Sequence, residues 1–434
     1  MINKLRPILL NEFEAELDKI AKFENNPVIG LALSGGSDSL ALMFLAKKWV
    51  QKKNGKLIAF TVDHDLRRGS FKSAINVQSK ADKEGVICKI LKWEHEQLTS
   101  KYMLLARVNR YNLMFQECRK IGIYHLLVAH HLDDNLETYY MRSLRGSNMI
   151  GLSSIPAVRE IEGLRIVRPL LKFEKKRLID TCLYFKAKFI QDPNNNNLNF
   201  ERVRVRNYFE KKKRCFKKKI RDKIYTERKR RQKIENELSL FFIKKLFFYP
   251  WGVFKIHRKD LLNLNEELMI IALKKILSTN SGNFYPPRKK SVENILQIIK
   301  SKKNITKTLH CSLIKIKNDI IYFCRESQKT QTNMHLGLTC KKNENVLWDN
   351  RFSLASYKYN LECGCINEKN WPDLKQNQNF NNKNISFEII KSLPFIITEL
   401  NTIHIPFLSG FGELNKIGIR FFFDSRVELV NNNF

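Results

Sequence analysis

Val28 to Ser39 reads VIGLALSGGSDS, an apolar run that leads directly into a short loop of Ser, Gly and Asp. The run predicts a buried β-strand over Val28–Leu33, and a helix is expected to begin at the polar end of the loop. Two adjacent glycines permit a tight turn with bare backbone N–H groups, and the helix N-terminus adds unpaired N–H groups and its dipole. We therefore predict a phosphate-binding loop that is formed by Ser34, Gly35, Gly36, Ser37, Asp38 and Ser39.

This loop differs from a Walker A loop, which needs a lysine that residues 34–39 lack. The serine hydroxyls add donors for phosphate oxygens, and Asp38 can hold Mg²⁺ on those phosphates. A chance Gly-Ser turn is the alternative interpretation. The position of the loop, between a predicted strand and a predicted helix, favours the phosphate site.

Strand patterns and helix patterns alternate on either side of the loop. Besides the first strand, buried strands are predicted over Leu57–Val62, Val86–Leu91 and Leu126–Ala129. Helices are predicted over Asp38–Lys52, Lys72–Glu84, Met103–Lys120 and Asp134–Leu144. This alternation predicts an α/β domain with a Rossmann-like parallel sheet, in which ligands bind beyond the carboxyl ends of the strands.

The chain of 434 residues is strongly basic, with 78 Lys and Arg against 43 Asp and Glu and a net charge of +35. The positive electrostatic field of such a chain predicts a polyanionic partner. We favour nucleic acid as that partner over the alternative explanation, in which the charge reflects a general compositional bias. The charge is densest over residues 202–233, where 17 of 32 residues are Lys or Arg and three are acidic. We expect this segment to be a long basic helix or linker that closes the first domain.

Composition also excludes several classes of protein. Hydrophobic residues make up 43% of the chain, so each domain can bury a core. The nine cysteines include no C-x-x-C pair, and the spacing of Cys363 and Cys365 does not fit zinc, so a reduced, cytoplasmic location is expected. No uncharged run approaches the roughly 18 residues that cross a bilayer, and Met1–Lys19 lacks the apolar core of a signal peptide. A soluble protein with no membrane partner is therefore expected.

The length predicts two or three domains. The predicted ranges are 1–220 for the phosphate-loop domain, 221–330 for a helical middle domain, and 331–434 for a small C-terminal domain with α+β or β-rich structure. Within the middle domain, the alternating stretch Leu309–Cys324 predicts a hairpin. Short strands are expected at Trp348–Leu354 and Arg420–Phe423.

Further polar residues lie after the second predicted strand and in the third predicted helix. His64 and Arg67 follow the strand and are candidate ATP contacts, although either residue alone is more typical of an ordinary surface position. Arg107 and Arg110 lie three residues apart in the helix, so both face one side, where they suit a phosphate or a carboxylate.

Residues 129–138, after the fourth predicted strand, read AHHLDDNLET. Asp134 and Glu137 are spaced i, i+3 and share one face of the helix that begins there. Paired carboxylates at this place can bind a metal, hold an ammonium substrate, or take a proton from it. His130 and His131 can contact phosphate or a nucleobase. Zinc is disfavoured because the run lacks the i, i+4 spacing of zinc hydrolases.

These motifs together resemble the bacterial tRNA(Ile)-lysidine synthetase family of the PP-loop ATP-pyrophosphatase superfamily. The patterns S-G-G-x-D-S, V-D-H-x-L-R, A-R-x-x-R-Y and A-H-H-x-D-D-x-x-E-T agree in order and spacing within residues 28–210. The chain departs from the usual family residues at Asn135 and Val203 and over Ser153–Ile155, but no departure removes an ionisable candidate. The other matching segments are Arg145–Ser147, Gly151–Leu152, Arg168–Leu171, Asp192–Asn194, Arg202–Arg206, Tyr285–Pro287 and Trp348–Phe352.

The resemblance implies a function and a set of partners. Members use ATP and Mg²⁺ to join free L-lysine to carbon-2 of the wobble cytidine in tRNA(Ile) with anticodon CAU. The reaction passes through an adenylated cytidine, and the lysidine product changes decoding from AUG to AUA. The middle and C-terminal domains would bind tRNA, the latter at the acceptor stem, and a homodimer is a reasonable expectation.

The resemblance also implies roles for individual residues. Asp38 would organise Mg²⁺ on the phosphates. Asp134 and Glu137 would bind the lysine ammonium groups or deprotonate the attacking amine, and the choice of base between them stays open. Positive charge that offsets charge at the α-phosphate would come from His131, Arg110 and Arg202.

Three other functions compete with this interpretation. A thiolating PP-loop enzyme would use a C-x-x-C pair to hold an iron–sulfur cluster, which this chain lacks. A small-molecule ligase with the same loop would not explain a net charge of +35. A basic RNA-binding protein with a decayed nucleotide site is disfavoured by the intact Asp38, Asp134 and Glu137.

Overall fold

A computed structural model describes residues 5–65, 69–95, 102–147, 149–161, 163–190, 197–283, 285–301, 303–326, 338–366, 368, 371–372, 387–409 and 411–430. The chain forms two compact units, Met1–Lys233 together with Asn432–Phe434, and Ile234–Asn431. Among the helices in the described part of the chain, none combines the length and apolar character that a membrane crossing requires.

A six-stranded sheet forms the centre of the first unit. Its strands are β1 (Val28–Ala32), β2 (Lys56–Asp63), β3 (Ile87–Lys92), β4 (His125–Leu127), β5 (Val158–Ile161) and β6 (Leu164–Val167), in the order β3-β2-β1-β4-β6-β5. The pairs that join β3, β2, β1, β4 and β6 are parallel, and β5 pairs antiparallel with β6 at the edge. The predicted parallel sheet is confirmed, and the edge hairpin was not predicted.

Helices cover both faces of this sheet. They are α1 (Leu10–Ile20), α2 (Ser37–Lys52), α3 (Ser70–Lys83), α4 (Tyr102–Lys120), α5 (Leu132–Leu144), α6 (Met149–Leu152), α7 (Lys175–Tyr184) and α8 (Glu201–Glu210). Consecutive residues of β4 enter different cores, because successive side chains of a strand point to opposite faces. Leu127 packs with Leu178 of α7 in one core, and Leu126 packs with Cys118 of α4 in the other.

The basic segment 202–233 forms most of α8 and the first part of a long helix, α9 (Arg214–Lys245). Two helices therefore replace the single helix or linker that we expected. Ile220 and Ile224, one turn apart on α9, are buried with Phe209 of α8 and Leu136 of α5. The predicted border between residues 220 and 221 lies inside α9, whereas the compact units divide after Lys233.

The first part of the second unit mixes helices with an antiparallel sheet. It contains β7 (Phe247–Tyr249), β8 (Val253–His257), α10 (Arg258–Leu262), α11 (Glu266–Ser281), α12 (Lys289–Lys300), β9 (Ile305–Leu309), β10 (Ser312–Lys317) and β11 (Ile320–Arg325). The strand order is β7-β8-β11-β10-β9. The predicted hairpin is confirmed as β10 and β11, which turn at Asn318 and Asp319. The remaining strands were not predicted, so this segment is not purely helical.

The last part of the second unit is rich in short strands, as predicted. It contains β12 (Leu338–Cys340), β13 (Asn345–Trp348), β14 (Phe352–Ser356), β15 (Leu361–Cys365), α13 (Phe387–Ile390), β16 (Pro394–Thr398), β17 (Ile403–His404), α14 (Pro406–Ser409), α15 (Phe411–Lys416) and β18 (Ile419–Phe423). The strands form two antiparallel sheets, β12-β15-β16-β17 and β13-β14-β18. The predicted border between residues 330 and 331 lies outside the described residues and stays a prediction.

A buried ion cluster links the two parts of the second unit. The carboxylate of Asp349 accepts hydrogen bonds from Arg325 Nε and Nη2 at 3.1 and 2.8 Å, and from Arg351 Nε at 2.7 Å. Arg325 ends β11, and Asp349 lies between β13 and β14. All three side chains are almost completely buried, so their charges are compensated mainly by one another.

Candidate active site

The phosphate loop lies at the carboxyl end of β1 and leads into α2. Gly35 has a φ of +78°, and a Cβ there would lie 2.6 Å from Val77 Cγ2, so both conformation and space require glycine. Ser39 Oγ accepts a hydrogen bond from the backbone N–H of Ser34 at 3.2 Å and donates to the carbonyl of Gly36 at 3.1 Å. The loop is therefore an ordered turn at a helix N-terminus, an arrangement suited to phosphate.

Asp38, in the first turn of α2, is bound by a lysine that sequence reasoning did not single out. Nζ of Lys175 lies 2.5 and 2.7 Å from the two carboxylate oxygens of Asp38, and 2.9 Å from Ser37 Oγ. The backbone N–H of Lys175 donates to Asp133 Oδ2 at 2.9 Å. Lys175 is therefore connected both to the phosphate loop and to the acidic motif of α5.

His131 connects the same two motifs. Its ring is 3% exposed, and its Nε2 lies 3.8 Å from Asp38 Oδ2 and 3.4 Å from Asp134 Oδ2. The backbone N–H of His131 also donates to Asp134 Oδ2 at 3.2 Å. Burial acts to raise the pKa of Asp134, but the combined charges of His131, His130 and Arg202 lower it overall. Asp134 is therefore an ionised carboxylate next to the phosphate loop.

Glu137 has a different environment, although the sequence pairs it with Asp134. Its side chain is 2% exposed, with Oε1 2.9 Å from Arg206 Nε and Oε2 3.3 Å from Arg202 Nε. Burial raises the pKa of Glu137, and the hydrogen bond from Arg206 offsets part of that effect. Arg202 also donates to Thr138 Oγ1 at 2.9 Å. Glu137 thus holds two arginines of α8 against α5.

His64 and Arg110 form a separate pair after β2. Arg110 Nε and Nη2 lie 3.0 and 2.8 Å from His64 Nε2. Burial, and then the charge of Arg110, lowers the pKa of His64 to about 4, so the ring is neutral near pH 7. Because Nε2 accepts, the neutral ring carries its proton on Nδ1, which has no hydrogen-bond partner among the described residues. Nδ1 is itself buried, so the contact of His64 with ATP stays a prediction.

Three of the sequence predictions for this region cannot be placed. Arg67 and the segment 192–194 lie outside the described residues, as does the side chain of Arg107.

ATP and Mg²⁺ fit the residues that are present. A Cβ on Gly36 would meet nothing closer than 3.7 Å, so the turn is open where phosphates would approach. Among the described residues, no group of three or more His, Cys, Asp or Glu side chains could hold a metal on its own. A divalent ion would therefore be held by Asp38 together with phosphate oxygens, where it neutralises negative charge when bound.

Three residues at this site were not among the predicted candidates. Lys175 begins a helix after β6, Arg206 lies one turn after Arg202 on α8, and Asp133 precedes Asp134. The sequence contained one usable signal, because Lys175 follows a parallel strand whose carboxyl end lies at the ligand-binding edge. The ion pair with Asp38 joins residues 137 positions apart, and no local pattern predicts it.

Comparison with known proteins agrees with this geometry. The family model of the PP-loop domain matches residues 9–212, the region that contains the sheet, the phosphate loop and the acidic motif. The fold and the site therefore define an ATP-binding protein of the PP-loop class.

Relatives whose sequences match most of the chain identify the family within the PP-loop class. The tRNA(Ile)-lysidine synthase of Wolbachia pipientis wMel is 33% identical over 76% of this chain and 77% of its own length. The synthase of Wolbachia sp. subsp. Brugia malayi is 30% identical over 81% of each chain. That of Orientia tsutsugamushi is 27% identical over 87% of this chain and 88% of its own. The chain belongs to the tRNA(Ile)-lysidine synthase family and is a ligase.

Proposed function

We propose that this ligase uses ATP to join free L-lysine to carbon-2 of the wobble cytidine in a tRNA(Ile) with anticodon CAU, which changes decoding from AUG to AUA. The observation that carries the proposal is the position of His131, 3.8 Å from Asp38 and 3.4 Å from Asp134. An ATP site and a site for a cationic substrate therefore meet at one side chain. The relatives are named for the same product.

In the first step, the carbonyl oxygen on carbon-2 of cytidine attacks the α-phosphorus of ATP. A new O–P bond forms, the bond to the bridging oxygen of the β-phosphate breaks, and pyrophosphate leaves. The loop from Ser34 to Ser39 would hold the phosphates by its N–H and hydroxyl donors. His131 is placed to stabilise negative charge beside Asp38, and Arg202 adds positive charge next to the acidic motif of α5.

In the second step, the lysine amine attacks carbon-2, and AMP leaves with the former carbonyl oxygen. The attacking amine must lose its protons, so a carboxylate has to lie nearby. Asp134 suits this place because it is ionised, and its side chain is 14% exposed against 2% for Glu137. We therefore assign contact with the lysine ammonium to Asp134. Glu137 instead orients Arg202 and Arg206.

Arg110 takes a different role from the one expected at the α-phosphate. Arg110 donates hydrogen bonds to His64, and its charge helps to lower the pKa of that ring and keep it neutral. A neutral His64 is suited to the uncharged ribose or adenine of ATP rather than to its phosphates. Arg110 would thus act on the adenosine end of ATP through His64.

The tRNA would be bound by the basic surface and read at an unstacked base. Residues 202–233 supply 17 Lys and Arg on α8, on α9 and on the three residues between them, and α5, which carries the acidic motif, packs against these helices. Phosphate contacts position an RNA, whereas selection of the anticodon requires a base that enters the site. The cytoplasmic location, the homodimer and acceptor-stem binding by the C-terminal part stay predictions.

The Asp38→Ala variant tests the site assignment. We expect loss of pyrophosphate release from ATP by at least about a hundredfold, with tRNA affinity within about threefold of wild type, because Asp38 contacts phosphates and not RNA. Asp82→Ala, which removes an exposed carboxylate of α3, is the matched control and should leave both quantities unchanged. Undiminished pyrophosphate release by Asp38→Ala would contradict the assignment.

A further inference from the structure

The ammonium of Lys175 contacts the phosphate loop, yet Lys175 has no role in the function derived above. Its Nζ contacts both carboxylate oxygens of Asp38 and the hydroxyl of Ser37. These are the oxygens that a divalent ion on ATP would need. Such an ion would compete with the ammonium for the lone pairs of these oxygens and would repel its charge, so binding of Mg-ATP would favour a different partner for Lys175.

Local charge indicates what that partner is. The carboxylates of Asp38, Asp133, Asp134 and Glu137 all lie at this edge of the first unit, where the polyanionic tail of ATP has to bind. Arg202 and Arg206 are engaged with Glu137, and Lys217 lies 3.5 Å from Asp133. Lys175, in contrast, already contacts the phosphate loop through Ser37 and Asp38. The nearest new anion within reach would be the phosphate chain that the loop holds.

We propose that Lys175 is a phosphate-binding residue whose ammonium neutralises Asp38 in the nucleotide-free protein and moves to the β- and γ-phosphates when ATP binds. In that position it would offset the charge of the departing pyrophosphate during attack at the α-phosphorus. Residues 34–39 lack the lysine that a Walker A loop carries within its own sequence. Lys175 would supply that charge from a different helix.

The anchoring of Lys175 suits a side chain that moves while its backbone stays fixed. Its backbone N–H is held by Asp133, and Leu178 and Cys182 of α7 pack into the same core as α2. Cys182 Sγ also lies 3.1 Å from the carbonyl of Ser37. The side chain itself is 38% exposed, so it can change rotamer without repacking of the core once a new anion replaces its contacts with Asp38.

Equilibrium binding of pyrophosphate and of AMP, each with excess Mg²⁺, tests the proposal by calorimetry on the full chain. The proposal for Lys175 rests on the use of ATP, which is one part of the proposed function. The binding measurement needs neither tRNA nor lysine, so a failure to form lysidine would not affect the proposal for Lys175. Lys175→Met should weaken pyrophosphate binding about tenfold or more, because a charged hydrogen bond is lost. AMP, which has no β- or γ-phosphate, should bind within about threefold of wild type. The control Lys176→Met removes an exposed neighbouring lysine and should change neither ligand.

Lys175→Arg keeps the positive charge and should recover most of the pyrophosphate affinity if Lys175→Met proves poorly folded. Unchanged pyrophosphate binding in Lys175→Met would overturn the proposal. An equal loss of AMP and pyrophosphate affinity would also overturn it, since that result describes general damage to the loop through Asp38.

Discussion

Two carboxylates one helical turn apart have opposite environments in this protein. Asp134 lies against His131 and has a lowered pKa, whereas Glu137 is buried between Arg202 and Arg206 and has a raised pKa. Burial acts in the same direction on both groups, so the difference comes from which cations lie near each carboxylate. Two carboxylates that the sequence pairs by a single spacing rule therefore lie in two different environments.

Substitution of each carboxylate should separate these functions. We expect Asp134→Asn to raise the KM for lysine about tenfold or more, because it removes the charge that holds an ammonium group. Glu137→Gln should lower kcat with the KM for lysine within about threefold, because it loosens Arg202 and Arg206 instead. Steady-state pyrophosphate release at varied lysine measures both constants. An equal rise in KM in the two variants would contradict the assignment.

His64 should remain neutral well below neutral pH. Burial and Arg110 hold its pKa at about 4, against an ordinary value of 6.5. Between those two values the unfolded chain binds a proton that folded His64 does not, so this residue lowers stability as pH falls from about 6.5 to about 4. Arg110→Met removes the second cause and should raise the pKa of His64, as measured by NMR titration of its ring protons. A midpoint that stays near 4 in the variant would show that burial alone sets this pKa.

At the scale of elements, strands and helices of the first unit were predictable because each carries its own periodicity. The prediction Val28–Leu33 corresponds to β1, and Asp38–Lys52 corresponds to α2, each within one residue. The short strands β5, β7 and β9 were missed, because three to five residues are too few for a reliable pattern. The ion pair of Lys175 with Asp38 was missed because it depends on tertiary packing alone.

The phosphate loop offers a matched pair of glycine substitutions. Gly35→Ala places a Cβ 2.6 Å from Val77 Cγ2 at a φ of +78°, so we expect a loss of about 1–3 kcal/mol in the free energy of unfolding. Gly36→Ala has a φ of −76° and open space, so stability of the nucleotide-free protein should be almost unchanged. Thermal unfolding without nucleotide compares the two variants. Equal melting temperatures would contradict the geometry of this turn.

At the scale of the whole molecule, the sequence indicated a basic, multidomain protein, and the border that it predicted between residues 220 and 221 lies inside α9. The dense charge of residues 202–233 suggested an end to the first domain, yet α9 continues through it. Its apolar residues explain why. Ile220 and Ile224 are buried in the first unit, whereas Leu238 and Phe242, also four apart, are buried in the second. The many Lys and Arg residues of this segment obscured the few apolar residues that recur at helical spacing.

The ion cluster of the second unit should dominate its stability. Asp349→Ala leaves Arg325 and Arg351 buried without their shared carboxylate, so we expect a loss of about 3–5 kcal/mol in the free energy of unfolding. Urea unfolding followed by tryptophan fluorescence measures this loss, since Trp348 is fully buried beside the cluster. Glu413→Ala, which breaks an exposed pair with Lys416, is the control and should have no measurable effect. A similarly small effect of Asp349→Ala would show that the cluster is dispensable.

The most direct test of the proposed function is product analysis. The purified protein is incubated with ATP, Mg²⁺, L-lysine and a tRNA(Ile) transcript with anticodon CAU, and the digested nucleosides are analysed by mass spectrometry. We predict lysidine at the wobble position, formed only when lysine and ATP are both present and absent with the Asp38→Ala variant. Pyrophosphate release without lysidine, or no turnover of ATP at all, would contradict the proposed function.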